Sequence, residues 1–550
     1  MTEQMMTGEV KTDEEAIGEV TDQVIGEVAD QVIIDEIITD QEMSDQQRKD
    51  EEPPIQKITS VDQESQNKRY GHGEYNLTSH LLFAIAAAGG GAGFQHGYNT
   101  GVINAPQSLL VDFVKETYQN RYGEVMEENK VGILISTLVA AFCLGGMIGA
   151  LLSSYAADYI GRKWGLIWNN ILVFVGAILE GCSKEASSYE MFIIGRFIIG
   201  INCGLNAALG PMYLSEISPV NFRGAIGSIY QLTITVTILI SQVMGLPELF
   251  GNDSGWPYVF ALAFIPAVMM MIALYFCPES PKYLLNIGEA EQAKQAIQWI
   301  LESENVEEEM TFLKNEIDDA RSLPKVTLKD MANKEVLKKP LIVSVVIMMA
   351  QQFSGINAAM YYSTQIFKAA GVSERSAVYC TMGMGVVNVL TTIVSVILVE
   401  RVGRKILFLV GMAGMAILCI ILTISMSLKN FGHFASYISV ITIFCFVIMF
   451  AIGPGSIPWF IVSELFTQNA RSLATSIAVG TNWGCNFIVS IGFMPLFELL
   501  KNFSFLIFLV FLVLSSLFIY LKVPETKNKT IEEIQEYFRS ETSDTAGLPH

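Results

Sequence analysis

Three charged signatures occur twice in this chain, at offsets of 242, 248 and 246 residues. The pairs are Asp158–Lys163 with Glu400–Lys405, Glu216 and Arg223 with Glu464 and Arg471, and Pro278–Ser280 with Pro524–Thr526. Each copy lies in a short polar strip between long apolar stretches. Because such a stretch crosses a membrane as a helix, the duplication predicts two related helical halves in a membrane.

The apolar stretches give the number of helices. Apolar residues make up 51% of the 550 residues and charged residues only 16%, which is too apolar for a soluble domain of this length. We therefore predict an all-α membrane protein with two pseudo-symmetric bundles of six transmembrane helices and a central cavity between them. The twelve predicted segments are 80–101, 131–156, 165–183, 191–215, 223–246, 257–277, 338–370, 377–399, 406–427, 436–464, 472–497 and 504–523.

The polar parts of the chain set the predicted domain boundaries. Charges surround apolar positions at helical spacing between the two halves, which favours short amphipathic helices there. Trp164, Trp168 and Trp256 stand at segment ends, where Trp ordinarily anchors a helix at the membrane interface. The predicted units are an acidic disordered cytosolic tail (1–75), an N-terminal bundle (76–277), cytosolic linker helices (278–337), a C-terminal bundle (338–523) and a cytosolic C-terminal tail (524–550).

The distribution of Lys and Arg predicts the orientation. These residues are dense in the short strips that carry the repeated signatures, and an even number of spans leaves both termini on one side. Cytosolic loops are the ones enriched in Lys and Arg, so we expect signatures and termini in the cytosol of a multi-pass plasma membrane protein.

Charge and motif content exclude several classes of function. Residues 1–70 contain 19 acidic and six basic side chains, so this tail holds 13 of the 20 net negative charges, and no nucleic-acid surface is expected. The tail is either solvated chain or a docking segment for a cytosolic partner. The chain has no Gly-Lys dipeptide and hence no P-loop, and its eight Cys lie in or beside apolar segments without a CxxC motif. We expect no metal, no cofactor and no enzymatic activity.

Segment seven carries the most informative polar cluster. It reads Gln351-Gln352-Phe353-Ser354-Gly355-Ile356-Asn357, and amides inside a spanning helix are costly unless they face a wet cavity or one another. The Ser-Gly pair favours a helix break there, as Gly453-Pro454-Gly455 does in segment ten. Amides are neutral and both donate and accept, so a cavity lined by them suits a neutral polyhydroxylated molecule. Other amides lie on segments five, eight and eleven: Gln231, Asn388, Asn482 and Asn486.

Several long motifs resemble one known family. From about Tyr75 to Phe538 the chain is similar to the sugar porters of the major facilitator superfamily, and within them to the facilitative glucose transporters. The resemblance rests on Gly97–Gln107, Gly195–Gly200, the segment-seven run, Ile457–Val462 and Val523–Lys527. It implies the major facilitator fold and a hexose substrate. The residues that it implies at or near the hexose site are Gln231, Gln351, Gln352, Asn357, Asn388, Trp459, Trp483 and Asn486.

Two departures from the family pattern concern the choice of hexose and its affinity. Ala451 stands where the family usually has Glu, and Phe353 stands where glucose-preferring members have Leu.

The repeated charges also suggest a gate. They can form ion pairs at helix ends when the cytosolic side closes, and such pairs need only bias a two-state equilibrium. The alternative is that they serve topology and helix ends alone. The predicted network consists of Arg162, Glu216, Arg223, Glu400, Arg404, Glu464 and Arg471.

Segment one bears on energy coupling. Proton-coupled relatives commonly carry Asp where this chain has Asn99, and an amide cannot titrate. We therefore expect facilitative uniport of D-glucose or a related hexose by alternating access. Two alternatives stay open, a proton-coupled hexose symporter that uses His96 and a non-transporting sugar sensor.

Overall fold

The computed structural model describes residues 77–219, 223–322, 326–428, 433–527, 529 and 531–546. The acidic tail predicted at 1–75, with its possible docking role, therefore lies outside the described residues. So does the end of the C-terminal tail, 547–550.

The first half and the connection that follows it are built from helices joined by short turns. The helices of the first half are α1 (Ser79–Ile85), a π-helical turn (Ala86–Gly90), α2 (Gly91–Gly101), α3 (Gln107–Tyr122), α4 (Glu128–Tyr159), α5 (Arg162–Gly181), α6 (Tyr189–Ile217), α7 (Arg223–Met244), α8 (Trp256–Ala261) and α9 (Phe264–Phe276). The connecting helices are α10 (Pro281–Asn286), α11 (Ala290–Leu301), α12 (Glu307–Ser322) and α13 (Leu328–Asn333).

The second half repeats this arrangement. Its helices are α14 (Glu335–Phe353), α15 (Ile356–Ala369), α16 (Glu374–Val402), α17 (Arg404–Ser427), α18 (His433–Ile452), α19 (Ile457–Leu465), α20 (Gln468–Leu500), α21 (Phe505–Lys522) and α22 (Ile531–Ala546), with a 3₁₀ turn at Lys501–Phe503.

Twelve segments of the described chain span the membrane. Ten are long apolar helices or helix pairs, and the interrupted helix from Ser79 to Gly101 and the shorter Ile229–Met244 complete the set. The predicted all-α fold with two six-helix bundles is therefore confirmed. Around its perimeter, apolar side chains such as Met269, Ile417 and Leu514 are more than half exposed, which is the surface that a lipid bilayer covers.

Both predicted helix breaks are present. In segment seven, α14 ends at Phe353, Gly355 has a φ of +90°, and α15 begins at Ile356. In segment ten, α18 ends at Ile452 and α19 begins at Ile457, after the Gly-Pro-Gly run. Gly tolerates positive φ and Pro cannot continue a helix, so these residues interrupt the two helices at the same depth as the amides.

Small residues bring helix backbones together in the first half. A Cβ on Gly145 would lie 2.1 Å from the carbonyl oxygen of Phe197, and one on Gly200 would lie 2.1 Å from that of Phe142. Helices α4 and α6 therefore cross in backbone contact. In segment one, Gly91 leaves room for the side chain of Met270, with which a Cβ would collide.

The interfacial role predicted for Trp256 is wrong. Trp164 and Trp168 are 40% and 56% exposed, but Trp256 is only 1% exposed. Its ring packs against Phe113, Phe192 and Phe260 with ring centroids 5.2, 6.0 and 6.2 Å away. Helix α3 covers this segment end and removes the indole from the interface.

Candidate functional site

A cavity lies between the two halves, at the level of the helix breaks. Its empty space, with the part open to solvent included, comes to about 850 Å³. Its walls come from α2 and α7 of the first half and from α14, α15, α16, α18, α19 and α20 of the second. The structure brings all eight sequence-predicted site residues to this wall: Gln231, Gln351, Gln352, Asn357, Asn388, Trp459, Trp483 and Asn486.

The amides of segment seven form a continuous network. Gln351 Nε2 donates to the carbonyl oxygens of Pro454 and Gly455, at 2.7 and 2.9 Å, and thereby joins the two broken helices. Asn482 links the pair of glutamines, since its Nδ2 donates to Gln351 Oε1 at 2.7 Å and its Oδ1 accepts from Gln352 Nε2 at 2.8 Å. The network ends at Asn357, which donates to Gln352 Oε1. Each amide is therefore held in one orientation.

Aromatic rings form part of the cavity wall. Trp483 stacks on His96 with ring centroids 5.3 Å apart and packs edge-on against Phe142. Its Nε1 is buried and has no hydrogen-bond partner within the described residues. This indole N–H is therefore an unused donor beside the cavity. Trp459 lies on the first helical turn after the break of segment ten, which carries its ring to the cavity.

Among the described residues, the cavity lining carries no Asp, Glu, Lys or Arg. An ionic ligand would find no countercharge there, whereas hydroxyl groups would find both donors and acceptors. Ala451 lines the cavity at the position where a carboxylate was expected from the family pattern. Phe353 does not line it, because its ring stacks on Phe511 at 4.8 Å.

The first copies of the three signatures meet at one node. Arg162 lies against Glu216, with Nη2 donating to Oε1 at 2.9 Å and Nε 2.8 Å from Oε2. Ser280 Oγ donates to the same carboxylate. Glu279 accepts from the backbone N–H groups of Arg162 and Lys163, at 3.0 and 2.9 Å, and so caps the N-terminus of α5. Burial raises the pKa of the Glu279 carboxyl, while these backbone hydrogen bonds act in the opposite direction.

The second copies repeat the node. Arg404 Nη2 donates to Glu464 Oε1 at 3.2 Å, and Glu525 accepts from the backbone N–H groups of Arg404 and Lys405, at 2.9 and 3.0 Å. Gly161 and Gly403 have φ values of +90° and +109°, and a Cβ on either would lie 2.6 to 2.7 Å from a capping carboxylate oxygen. Each turn therefore requires glycine while its capping carboxylate is in place.

The remaining members of the predicted charge network are Arg223, Glu400 and Arg471. Arg471 Nη2 donates to the carbonyl oxygen of Phe466 at 3.3 Å. The side chains of Arg223 and Glu400 lie outside the described part of the structure. The two ion pairs observed at the nodes each lie within one half.

On the side opposite the signatures, the two halves contact each other directly. Asn104, just after α2, is fully buried and donates from Nδ2 to the carbonyl oxygen of Met360 at 2.6 Å. Its Oδ1 accepts from Thr364 Oγ1 at 3.1 Å. Glu248 accepts from Arg375 and Tyr379 at 3.1 and 2.8 Å. These contacts close the opposite side in the arrangement described here.

Two groups of functional residues were not placed by sequence reasoning. Asn482 was recognised only as one more amide, although it is the link between Gln351 and Gln352. Glu279 and Glu525 were absent from the predicted network, although they cap both Gly-Arg turns. The recurrence of Pro-Glu-Ser as Pro-Glu-Thr was the signal for them.

A twelve-helix membrane protein with an uncharged polar cavity between two related halves is a transporter with the major facilitator fold, and it is not an enzyme. Residues 83–538 match the family described as "Sugar (and other) transporter". The chain belongs to this sugar transporter family.

Relatives match over most of the chain. One is "Solute carrier family 2, facilitated glucose transporter member 1" of Gallus gallus, 44% identical over 464 residues, which are 84% of this chain and 94% of the relative. Another is "Facilitated glucose transporter protein 1" of Caenorhabditis elegans, 42% identical over 81% of this chain and 88% of the relative.

Solved structures give the same fold. The E. coli xylose transporter XylE, in a partially occluded inward-open conformation, matches with a TM-score of 0.68 and 27% identity, covering 82% of this chain and all of that one. The proton:xylose symporter XylE bound to 6-bromo-6-deoxy-D-glucose matches with a TM-score of 0.69 and 28% identity, covering 84% of this chain and all of that one.

Proposed function

We propose that the protein carries D-glucose or a related hexose across the membrane by facilitative uniport. The observation that carries this proposal is the cavity between the halves, which presents fixed amides and an unpartnered indole N–H but no charge. Such a lining matches a neutral molecule with hydroxyl groups in several directions. The facilitated glucose transporters at 42 to 44% identity support the same substrate class.

The eight predicted site residues are proposed as the hexose contacts, with Asn482 and His96 beside them. The sugar hydroxyl groups would replace some of the hydrogen bonds that Gln352, Asn357 and Asn482 now make with one another. The two signature nodes, with Arg223, Glu400 and Arg471, are proposed as the gate that biases the alternation. We also propose that the membrane part of the chain is divided as the sequence predicts, into bundles 76–277 and 338–523 joined by the linker 278–337.

The proposed location is the plasma membrane, with both termini in the cytosol. The Lys- and Arg-rich strips at the nodes support this orientation. The acidic tail at 1–75 is proposed as a segment for a cytosolic partner. Deleting it should leave sugar transport by the purified protein unchanged, since the described cavity lining comes from the helices of the two halves.

Uniport is proposed over proton symport because of the side chain at position 99. Asn99 is fully buried, its Nδ2 donates to the carbonyl oxygen of Gln95 at 2.9 Å, and it holds no titratable proton. In liposomes, labelled hexose should equilibrate without a proton gradient. Accumulation of hexose against its gradient after an imposed pH step would overturn uniport in favour of the symporter.

Counterflow in proteoliposomes is the direct test of function. Liposomes loaded with unlabelled D-glucose should take up labelled D-glucose transiently, and a panel of competing sugars ranks the substrates. L-glucose has the same composition and the wrong handedness, so it is the matched control. Absence of counterflow for every hexose in a well-folded preparation would contradict the proposal and favour a sugar sensor.

A further inference from the structure

One buried acid lies in the membrane outside the cavity. Glu180 is the second-to-last residue of α5, near the side opposite the signatures, and its side chain is fully buried. Neither of its carboxyl oxygens has a hydrogen-bond partner within the described residues. A buried carboxylate without hydrogen bonds is unfavourable, so the neutral, protonated form fits this environment better. An ionisable side chain inside a membrane protein is also a functional candidate on general grounds.

The basic side chain that acts electrostatically on Glu180 is equally short of hydrogen-bond partners. Arg196 of α6 is fully buried, and its Nη2 donates to the carbonyl oxygen of Asn99 at 3.0 Å. Its Nε and Nη1 have no hydrogen-bond partner within the described residues. The guanidinium carbon lies 4.4 Å from the centroid of the Phe142 ring. Arg196 therefore has N–H groups without acceptors, and a carboxylate could accept hydrogen bonds from them.

The two side chains belong to one packed site. Helices α5 and α6 approach so closely that a Cβ on Gly195, the neighbour of Arg196, would lie 2.8 Å from Glu180 Cγ. Arg196 acts on Glu180 electrostatically, and the other titratable groups within reach of Glu180 in the described chain are Cys203 of α6 and Tyr98 of α2. Tyr98 donates its proton to the carbonyl oxygen of Val259 at 2.7 Å. Arg196 is thus the single cation in this set.

A permanent structural ion pair does not fit these contacts. In such a pair the guanidinium would donate to the carboxylate, because a buried charge pair is stable only with its hydrogen bonds made. Here Arg196 donates instead to the backbone of α2. The arrangement fits a protonated Glu180 that leaves Arg196 free to hold Asn99.

The contact at Asn99 connects this site to the cavity. Thr100, the next residue, and His96, one turn earlier, both line the cavity wall. Ionisation of Glu180 would create an acceptor for the unused donors of Arg196 and compete with the Asn99 carbonyl for the guanidinium. The position of α2, and with it two cavity-lining side chains, would then depend on one proton.

We propose that Glu180 is a proton-binding site that acts through Arg196 and α2 to make the rate of sugar transport depend on pH. Water supplies the proton and takes it back, and no other bond forms or breaks. Glu180 is a positioning residue, since it does not line the cavity. The proposal rests on the proposed transport function but does not require transport to be driven by protons.

The test is equilibrium exchange of labelled hexose in proteoliposomes with the same pH on both sides. Between about pH 5 and pH 8, the wild-type rate should change by about threefold or more through a single-proton transition. Glu180→Gln keeps the size of the side chain and removes the proton, so its rate should be independent of pH. Glu185→Gln, the same substitution at an exposed turn position after α5, should keep the wild-type profile.

Three results would overturn the proposal. They are a wild-type exchange rate that is independent of pH, a Glu180→Gln profile equal to the wild type, and a Glu185→Gln profile as flat as that of Glu180→Gln. Loss of exchange at every pH in wild type would instead contradict the proposed function. In that case infrared difference spectra decide, since a carboxyl band that titrates in wild type should be missing from Glu180→Gln. Should Glu180→Gln fail to fold, Glu180→Asp keeps a carboxyl and should retain the pH dependence with a displaced midpoint.

Discussion

At the scale of single residues, polar side chains of the cavity wall form hydrogen bonds with one another while no ligand is present. Gln352 shows this most clearly, because Nε2 donates to Asn482 and Oε1 accepts from Asn357. If such an amide bonds to its neighbours in the empty cavity and to the sugar in the loaded one, it is never left buried without a partner. The cost of an unpaired buried polar group then does not arise in either state. In the proposed function, the network would exchange internal hydrogen bonds for bonds to the sugar.

Gln352→Leu should weaken hexose transport strongly. The variant leaves Asn357 and Asn482, and a sugar hydroxyl, without a partner in a site of low water content. Unpaired buried groups of this kind cost about 1–3 kcal/mol, or roughly 5- to 150-fold in transport efficiency. The kinetics of hexose counterflow measure this loss of transport efficiency. Gln119→Leu, the same change on the exposed surface of α3, is the control, and equal kinetics in the two variants would contradict the site.

Trp483→Phe isolates a single donor. The benzyl ring retains most of the stacking on His96 but loses the indole N–H, which has no partner within the described residues. If this N–H binds a sugar hydroxyl, its loss costs about 1 kcal/mol, or roughly fivefold in apparent affinity. Competition between unlabelled and labelled hexose gives the apparent affinity of the variant and of the wild type. A hexose affinity equal to the wild type would show that the N–H stays unused.

At the scale of helices, the sequence predicts local features well and long-range contacts poorly. The breaks at Gly355 and at Pro454 follow from backbone chemistry at those residues and are visible in the sequence. The burial of Trp256 under α3 and the turn of Phe353 toward Phe511 depend on how distant elements pack. The same reason explains why Glu279 and Glu525 were recognised as a repeat but not as caps.

Glu279→Ala and Glu525→Ala should destabilise the protein to a similar degree. Each removes an acidic cap from the first turn of a spanning helix and leaves backbone N–H groups of α5 or α17 without their acceptor. Lost caps cost about 0.5–2 kcal/mol. Thermal unfolding in detergent, compared with the surface variant Glu185→Ala, checks this. A melting temperature unchanged in either variant would argue against the capping role.

At the scale of the whole molecule, the ion pairs at the signatures differ in kind from the contacts between the halves, which include Ser154 Oγ to Ser476 Oγ at 3.0 Å near the signatures. The signature nodes join helices within each half, through Arg162 to Glu216 and Arg404 to Glu464. The contacts at Asn104 and Glu248 join one half to the other on the opposite side. Alternation between two states requires that contacts between the halves break and re-form.

Asn104→Ala should therefore shift the protein toward the state that is open on the opposite side. The variant removes hydrogen bonds to Met360, Ser363 and Thr364 that exist only while that side is closed. A loss of about 1–3 kcal/mol changes the ratio of the two states roughly 5- to 150-fold.

Cysteine labelling measures this shift. A cysteine replaces Ile234 in the cavity of a protein without its native cysteines. An impermeant thiol reagent is then added from the side opposite the signatures. Labelling should accelerate in Asn104→Ala. It should not accelerate in Asn170→Ala, because the buried amide of Asn170 contacts Gln95 and Leu166 within one half. Equal labelling rates in the wild type and Asn104→Ala would show that the Asn104 contacts do not hold the opposite side closed.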